Sequence, residues 1–298
     1  VTMLGADNPL LALARSGRNR THPLLALLVA LMAVFVGQLF AAIVLALLSP
    51  ADPVWRQLTT LIVGFVPIAL LVWAWVAAYE GRGFATLGFT RHRAAAKAAR
   101  GALTGLAAFG AVTLLLAALG YVVREDRPQG WAAAGTALLV LVGWILQSST
   151  EEILARGFVL PVVGAQWGAP AGVAASALLF AALHLLNPDV TPLSVVNLVL
   201  VGVLLGLYAL YDGALWGVCL WHAVWNWAQG SLFGFPVSGQ PTGTLAVLDL
   251  RETGPDAVTG GMFGPEGGVA TTLVLLLGVA VIAVAARRRP ASPPAPPA

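Results

Sequence analysis

Charge and cysteine are what this chain has least of. Only 10% of its 298 residues are charged, against about 25% in ordinary soluble domains. Sixteen Lys/Arg against thirteen Asp/Glu leave a net charge of +3. So small an excess provides no basic footprint for nucleic acid, and no nucleic-acid partner is expected. The single cysteine, Cys219, lies in an apolar run, which excludes an intrachain disulfide and suits a small buried hydrophobe. Lysine is nearly missing too, since Lys97 is the one lysine among the basic residues. That arginine bias, with abundant Ala and Gly, is the composition of a GC-rich prokaryotic genome.

Hydrophobic residues are present in excess. They make up 59% of the chain, and the mean hydropathy is +0.86. A bilayer core of about 30 Å needs roughly 20 apolar helical residues to cross it. Runs of that kind occur at 23–49, 58–79, 101–123, 134–165, 169–187, 192–211, 214–230 and 269–286. The expected fold class is all-α, a polytopic membrane bundle of about eight transmembrane helices. The first run is too long for the apolar core of a signal peptide and is kept as a span.

Basic residues orient the bundle. Arg15, Arg18 and Arg20 precede the first span; Arg82, Arg91, Arg93, Lys97 and Arg100 fill the 80–100 loop; Arg287, Arg288 and Arg289 follow the last span. The alternate loops carry only Arg56, Arg124, Arg127 and Arg251. Both termini are therefore expected in the cytoplasm, with the chain in a prokaryotic plasma membrane. The organisation read from this pattern is a cytoplasmic N-terminus (1–22), N-terminal helices (23–130), a core bearing polar residues (131–230), an extracytoplasmic Gly-rich loop (231–268), a last helix (269–289) and a Pro-rich tail (290–298). The loop reads either as a lid or as a disordered connection.

Ionisable groups inside a bilayer cost about 2.5–3.5 kcal/mol each and are functional candidates by default. Here they cluster in the second half: Glu151, Glu152 and Arg156 in the fourth span, His184 in the fifth, His222 with Asn226 in the seventh. Glu152 and Arg156 are four apart, on one helix face, and are expected to pair. Glu151, about 100° round the helix, is then free to face another group. With the fourth helix bent at Pro161, the 1.5 Å rise puts Glu151 and His184 both about 22 Å from the inner face and His222 about 13 Å, a difference tilt can absorb.

A carboxylate beside a neutral imidazole can take a proton from water, and a second His with an Asn amide can donate to a developing oxyanion. That is an inventory for peptide hydrolysis. The same imidazoles and carboxylates also suit Zn²⁺, and a purely structural ion-pair cluster is the plain alternative. Phe180 is read as packing, the tryptophans near His222 (Trp216, Trp221, Trp225, Trp227) as interfacial, His22 and His92 as solvated, and Asp212 as a turn residue. H-E-x-x-H, a paired aspartate and a G-x-S-x-G serine are all missing, which removes the usual zincin, aspartyl and serine mechanisms. No internal repeat supports a transporter.

In order, the polar elements read Glu151-Glu152-Ile-Leu-Ala-Arg156, Phe180-Ala-Ala-Leu-His184 and His222-Ala-Val-Trp-Asn226. This resembles the E-E-x-x-x-R, F-x-x-x-H and H-x-x-x-N signature of the CPBP family, the CAAX-protease and bacteriocin-processing (Abi) intramembrane proteases. The resemblance covers about 145–230. It implies an α-bundle with a cavity opening into the membrane, in which Glu151 with His184 activates water, His222 and Asn226 form the oxyanion hole, and Glu152 and Arg156 support them. It makes 131–230 a CPBP-like catalytic core. The family is also described as metalloproteases, so a metal-free glutamate mechanism and a zinc-dependent one both stand. The partners expected are membrane lipids and a peptide or protein substrate, lipidated or not. A non-catalytic membrane protein with an immunity, regulatory or scaffold role is the alternative.

Overall fold

The computed structural model describes residues 2–48, 50–125, 130–241 and 246–288. The expected Pro-rich tail, with Arg127 and Arg289, lies outside them. The chain is an all-α membrane bundle: α1 (Pro9–Arg15), α2 (Pro23–Leu48), α3 (Pro53–Val63), α4 (Val66–Trp75), α5 (Ala94–Ala118), α6 (Gly130–Glu152), α7 (Leu160–Trp167), α8 (Ala169–Leu183), α9 (Pro192–Asp212), α10 (Trp216–Trp227), α11 (Asp256–Thr259) and α12 (Val269–Arg288). Two short strands, β1 (Val122–Arg124) and β2 (Leu250–Glu252), pair antiparallel.

Each expected span has a helical counterpart. Six are helices of 20–35 residues, apolar enough to cross a membrane. The other two are shorter: α8, and α10 with the π-helical turn Ala228–Phe233 that continues it. The outer faces of α2 and α12 are studded with exposed apolar side chains such as Phe35, Leu39, Ile43, Leu276 and Leu277, as lipid-facing helices require.

Several boundaries differ from expectation. The second span starts earlier, at Pro53 behind the Asp52 N-cap, and is broken between α3 and α4 where Pro67 withholds an N–H. The third begins at Ala94 and stops at Ala118, because Gly120 takes φ +74° and turns the chain into β1. The fourth is interrupted ahead of Pro161, where it widens into a π-helical turn, Ile153–Val159, and Pro161 sits in the first turn of α7. The fifth ends at Leu183, so His184 caps the helix rather than lying inside it.

Small residues set the helix spacing near the site. A Cβ on Gly101 would lie 2.0 Å from the Gly217 carbonyl oxygen, and one on Gly105 2.4 Å from that of Trp221. This Gly-x-x-x-Gly pair brings the α5 backbone against α10, the close approach that drives helix association where no hydrophobic force exists.

The Arg-rich segments gather at one end. The Arg18 amide donates to the Glu80 carbonyl, the Arg82 guanidinium to the Leu13 carbonyl, the Arg15 guanidinium to the Ala165 carbonyl, and the Leu215 amide to the Gly88 carbonyl. Within the N-terminal segment, Leu10 and Leu11 of α1 are fully buried. Asp212 is more than a turn residue: it ends α9 with a buried side chain paired to Arg100. At the opposite end the 231–268 loop is folded over its described residues, tied to the 121–125 segment by the β1–β2 pair.

Candidate active site

The polar residues of the core meet where α6 passes into its π-helical turn. Such turns are rare and recur at functional sites, because the extra residue rotates the side chains after it. All seven residues of this one are buried. Arg156 lies within it, and its Nη1 donates to Glu152 Oε1 at 2.9 Å, the pair expected from their spacing. Nη2 reaches the Gly202 carbonyl of α9 at 3.2 Å. The guanidinium also lies over the Phe180 ring, 4.7 Å from its centroid. Both side chains of the ion pair are 0% exposed, so each charge relies on its partners rather than on water.

His222 on α10 is placed between the two glutamates. Its Nδ1 donates to the same Glu152 Oε1 at 2.8 Å, and its Nε2 lies 3.6 Å from Glu151 Oε2. His222 and Glu151 therefore meet despite the depth difference read from their positions along separate helices. Glu151 Oε2 has no hydrogen-bond partner among the described residues, nor has the second oxygen of Glu152, but the Glu151 side chain is 18% exposed where that of Glu152 is fully buried. Its neighbour Glu152 is engaged by a guanidinium and an imidazole. The two adjacent carboxylates thus have different environments, one fastened and one presented.

His184 stands across the Phe180 ring. The two rings are 4.5 Å apart, and Phe180 also meets the His222 ring edge-on at 5.8 Å. Phe180 packs, as expected, and in doing so links both histidines and Arg156. His184 Nδ1 lies 2.7 Å from the Phe180 carbonyl oxygen. A carbonyl only accepts, so Nδ1 carries a proton and Nε2 is left to face the site. The ion pairs of the two glutamates run to His222 and Arg156, and His184 is not among their direct partners.

Asn226 is one turn beyond His222. Its Nδ2 donates to Gln147 Oε1 at 3.2 Å and to Ser148 Oγ at 3.4 Å, while the Ser148 hydroxyl donates to Gln147 Oε1 at 2.8 Å. The expectations from sequence omit Gln147 and Ser148, although each precedes a glutamate of the motif by four residues on the same helix. That spacing is the signal that could have found them. The tryptophans around His222 serve the scaffold: Trp216 donates to the Thr90 carbonyl, Trp227 to the Ala137 carbonyl, and Trp221 stacks on Trp225 at 4.9 Å.

The donors suit zinc poorly. Among the described residues no group of three or more His, Cys, Asp or Glu is arranged to hold a metal. Glu152 and His222 already bond to each other, and the Arg156 cation sits 2.9 Å from the carboxylate a dication would need. What the arrangement does offer is two carboxylates side by side, each with an unpartnered oxygen, of which Glu151 alone is partly exposed, and two imidazoles and an amide beside them.

Comparison with known proteins agrees with the motifs. No curated protein and no solved structure matches the chain. Residues 133–228 match the family model described as type II CAAX prenyl endopeptidase Rce1-like. The matched segment runs from early α6 to the end of α10 and contains Glu151, Glu152, Arg156, His184, His222 and Asn226. Over residues 133–228 the chain is therefore similar to the Rce1-like type II CAAX prenyl endopeptidases, consistent with the CPBP intramembrane proteases its motifs resemble.

Proposed function

We propose that this integral membrane endopeptidase hydrolyses a peptide bond in a membrane-associated peptide or protein with water activated by Glu151. The observation that carries the reading is the contrast between the two glutamates: Glu152 is fully buried and held through Oε1 by Arg156 and His222, whereas Glu151 is partly exposed and its Oε2 has no hydrogen-bond partner among the described residues. Glu151 accepts a proton from water while the His184 Nε2 lone pair orients that water. The water oxygen adds to the scissile carbonyl carbon, and the proton passes to the leaving amine. His222, which can donate through Nε2 as well as Nδ1, and the Nδ2 of Asn226 stabilise the oxyanion.

The step uses no metal in this reading, in keeping with the engagement of Glu152 and His222 by one another. Leu185 and Leu186, directly after His184, are 51% and 94% exposed, an apolar approach suited to a substrate arriving through the lipid, prenylated or not. The gathering of arginines at one end supports placing that end, with both termini, in the cytoplasm.

A cleavage assay in proteoliposomes tests the reading, with lipidated and unmodified quenched peptides and the variants Glu151→Gln and His184→Ala, each with and without chelator. Glu151→Gln is expected to lose about 10²–10⁴-fold in kcat, the range of general acid–base catalysis, with chelator inert. Cleavage abolished by chelator and restored by Zn²⁺ would overturn the metal-free mechanism; full activity in Glu151→Gln would overturn the role of Glu151.

A further inference from the structure

The 231–268 loop plays no part in the chemistry above, yet it reaches the site from two directions. Phe263, fully buried, belongs to one buried apolar cluster with Phe180, Ala181 and Leu198, and Phe180 is the ring shared by His184, His222 and Arg156. Three residues on, Glu266 projects its carboxylate into a set of donors. Oε2 accepts from the Ser238 amide and hydroxyl, both at 2.7 Å, and Oε1 from Trp225 Nε1 at 3.2 Å. Trp225 precedes Asn226 on α10. The Asn197 side chain of α9 donates to the backbone carbonyls of Glu266 and Gly268 at 2.7 and 3.0 Å.

The loop's glycines serve this closure. Gly264 takes φ +96°, and a Cβ there would lie 2.2 Å from the Pro236 carbonyl oxygen. Gly239, at φ +80°, would bring its Cβ within 2.1 Å of the Pro188 carbonyl oxygen, in the turn after His184. Only glycine permits both the backbone conformation and the approach. One ion, Glu266, therefore joins the two halves of the loop to α10 by charge-assisted hydrogen bonds, which are about twice as strong as neutral ones.

We infer that Glu266 is a positioning residue: its carboxylate latches the loop as an outer lid, seats Phe263 in the cluster that holds Phe180, and keeps Trp225 and the adjoining Asn226 in place. The lid excludes bulk water from the end of the site opposite the arginine-rich end. The catalytic half of this inference rests on the roles proposed above for Asn226; the lid itself does not.

The test uses the full chain in detergent with Cys219→Ser and a reporter cysteine beneath the lid, Ala181→Cys, or Leu198→Cys should the first not fold. Labelling by a sulfonated maleimide is timed with and without Glu266→Ala, and cleavage kinetics are read on the same variants. Loss of charge-assisted hydrogen bonds predicts labelling about tenfold faster or more in Glu266→Ala, with Glu266→Gln intermediate because it keeps one carbonyl oxygen. Substitution of the exposed neighbour, Met262→Ala, leaves the rate unchanged. Cleavage should fall in kcat with KM unaltered, as expected when an oxyanion donor is misplaced. Equal labelling with and without Glu266 overturns the latch; faster labelling with unaltered kcat overturns the positioning role. If wild type cleaves nothing, the peptidase reading fails, and the labelling ratio alone decides the latch.

Discussion

His222 and Glu152 are 70 positions apart in the chain, yet the ring Nδ1 of one donates to the carboxylate of the other across 2.8 Å. Arg156 donates to the same oxygen at 2.9 Å. One oxygen atom thus joins α6, the π-helical turn and α10, and the Phe180 ring under Arg156 adds α8.

Removing one partner of this ion pair leaves the other charge stranded. Arg156→Met is expected to cost about 3–5 kcal/mol, the usual cost of a broken buried pair. The double variant Glu152→Gln/Arg156→Met should cost clearly less than the two single changes added. Thermal unfolding in detergent measures this, and an unaltered midpoint in Arg156→Met would show that the pair does not support the fold.

Asn226→Ala should lower kcat by about 10²–10³-fold with KM little altered, as for other single oxyanion donors. Gln147→Leu, which removes the acceptor that orients the Asn226 amide, should lose less. If KM rises and kcat holds, Asn226 binds the ground state instead.

Gly105 faces the α10 backbone, and a side chain there must push the helices apart. Gly105→Leu is expected to destabilise by about 1–3 kcal/mol or more and to lower activity with it, since α10 carries His222. Gly110, on the same helix, has open space where a Cβ would stand, with nothing within 4 Å, so Gly110→Ala serves as the neutral control. Equal effects from both would mean that the close approach is unimportant.

Burial pushes the Glu252 carboxyl in β2 from an ordinary 4.5 up to about 8, and the Asp256 charge adds to the effect. The docked loop therefore holds a proton that the undocked loop releases. Docking is fully stabilised below about pH 4.5, weakens as pH rises through the window, and has lost this contribution above about pH 8. Hydrogen exchange of the β1–β2 amides, corrected for intrinsic rate, should show falling protection across that window. Glu252→Gln should flatten it; a slope that survives the substitution assigns the effect elsewhere.

Much of the fold is legible in the sequence where the cause is local. Runs such as 192–211 and 269–286 announce helices because a bilayer demands about 20 apolar residues, whatever surrounds them. The Glu152–Arg156 pair follows from four-residue spacing alone. The π-helical turn does not, because it exists only where packing against α8, α2 and α4 repays a widened helix. The apolar run around His184 implies a residue inside a helix, yet His184 caps one, since the turn that follows docks through Asn187 onto the Ser238 carbonyl. Glycine in the 231–268 loop reads equally as freedom or as close approach, and only contacts such as Gly264 against Pro236 separate the two.

That the chain crosses a membrane, where along it the arginines fall, and which few polar residues stand in the apolar helices can all be read from the order of residues alone. These follow from transfer free energies and helical periodicity, which act over neighbouring residues. The tertiary structure decided which glutamate is fastened and which is presented, that Gln147 and Ser148 orient Asn226, and that Glu266 reaches Trp225. Those outcomes depend on atoms far apart in the chain meeting at hydrogen-bond distance, which spacing along one helix cannot specify.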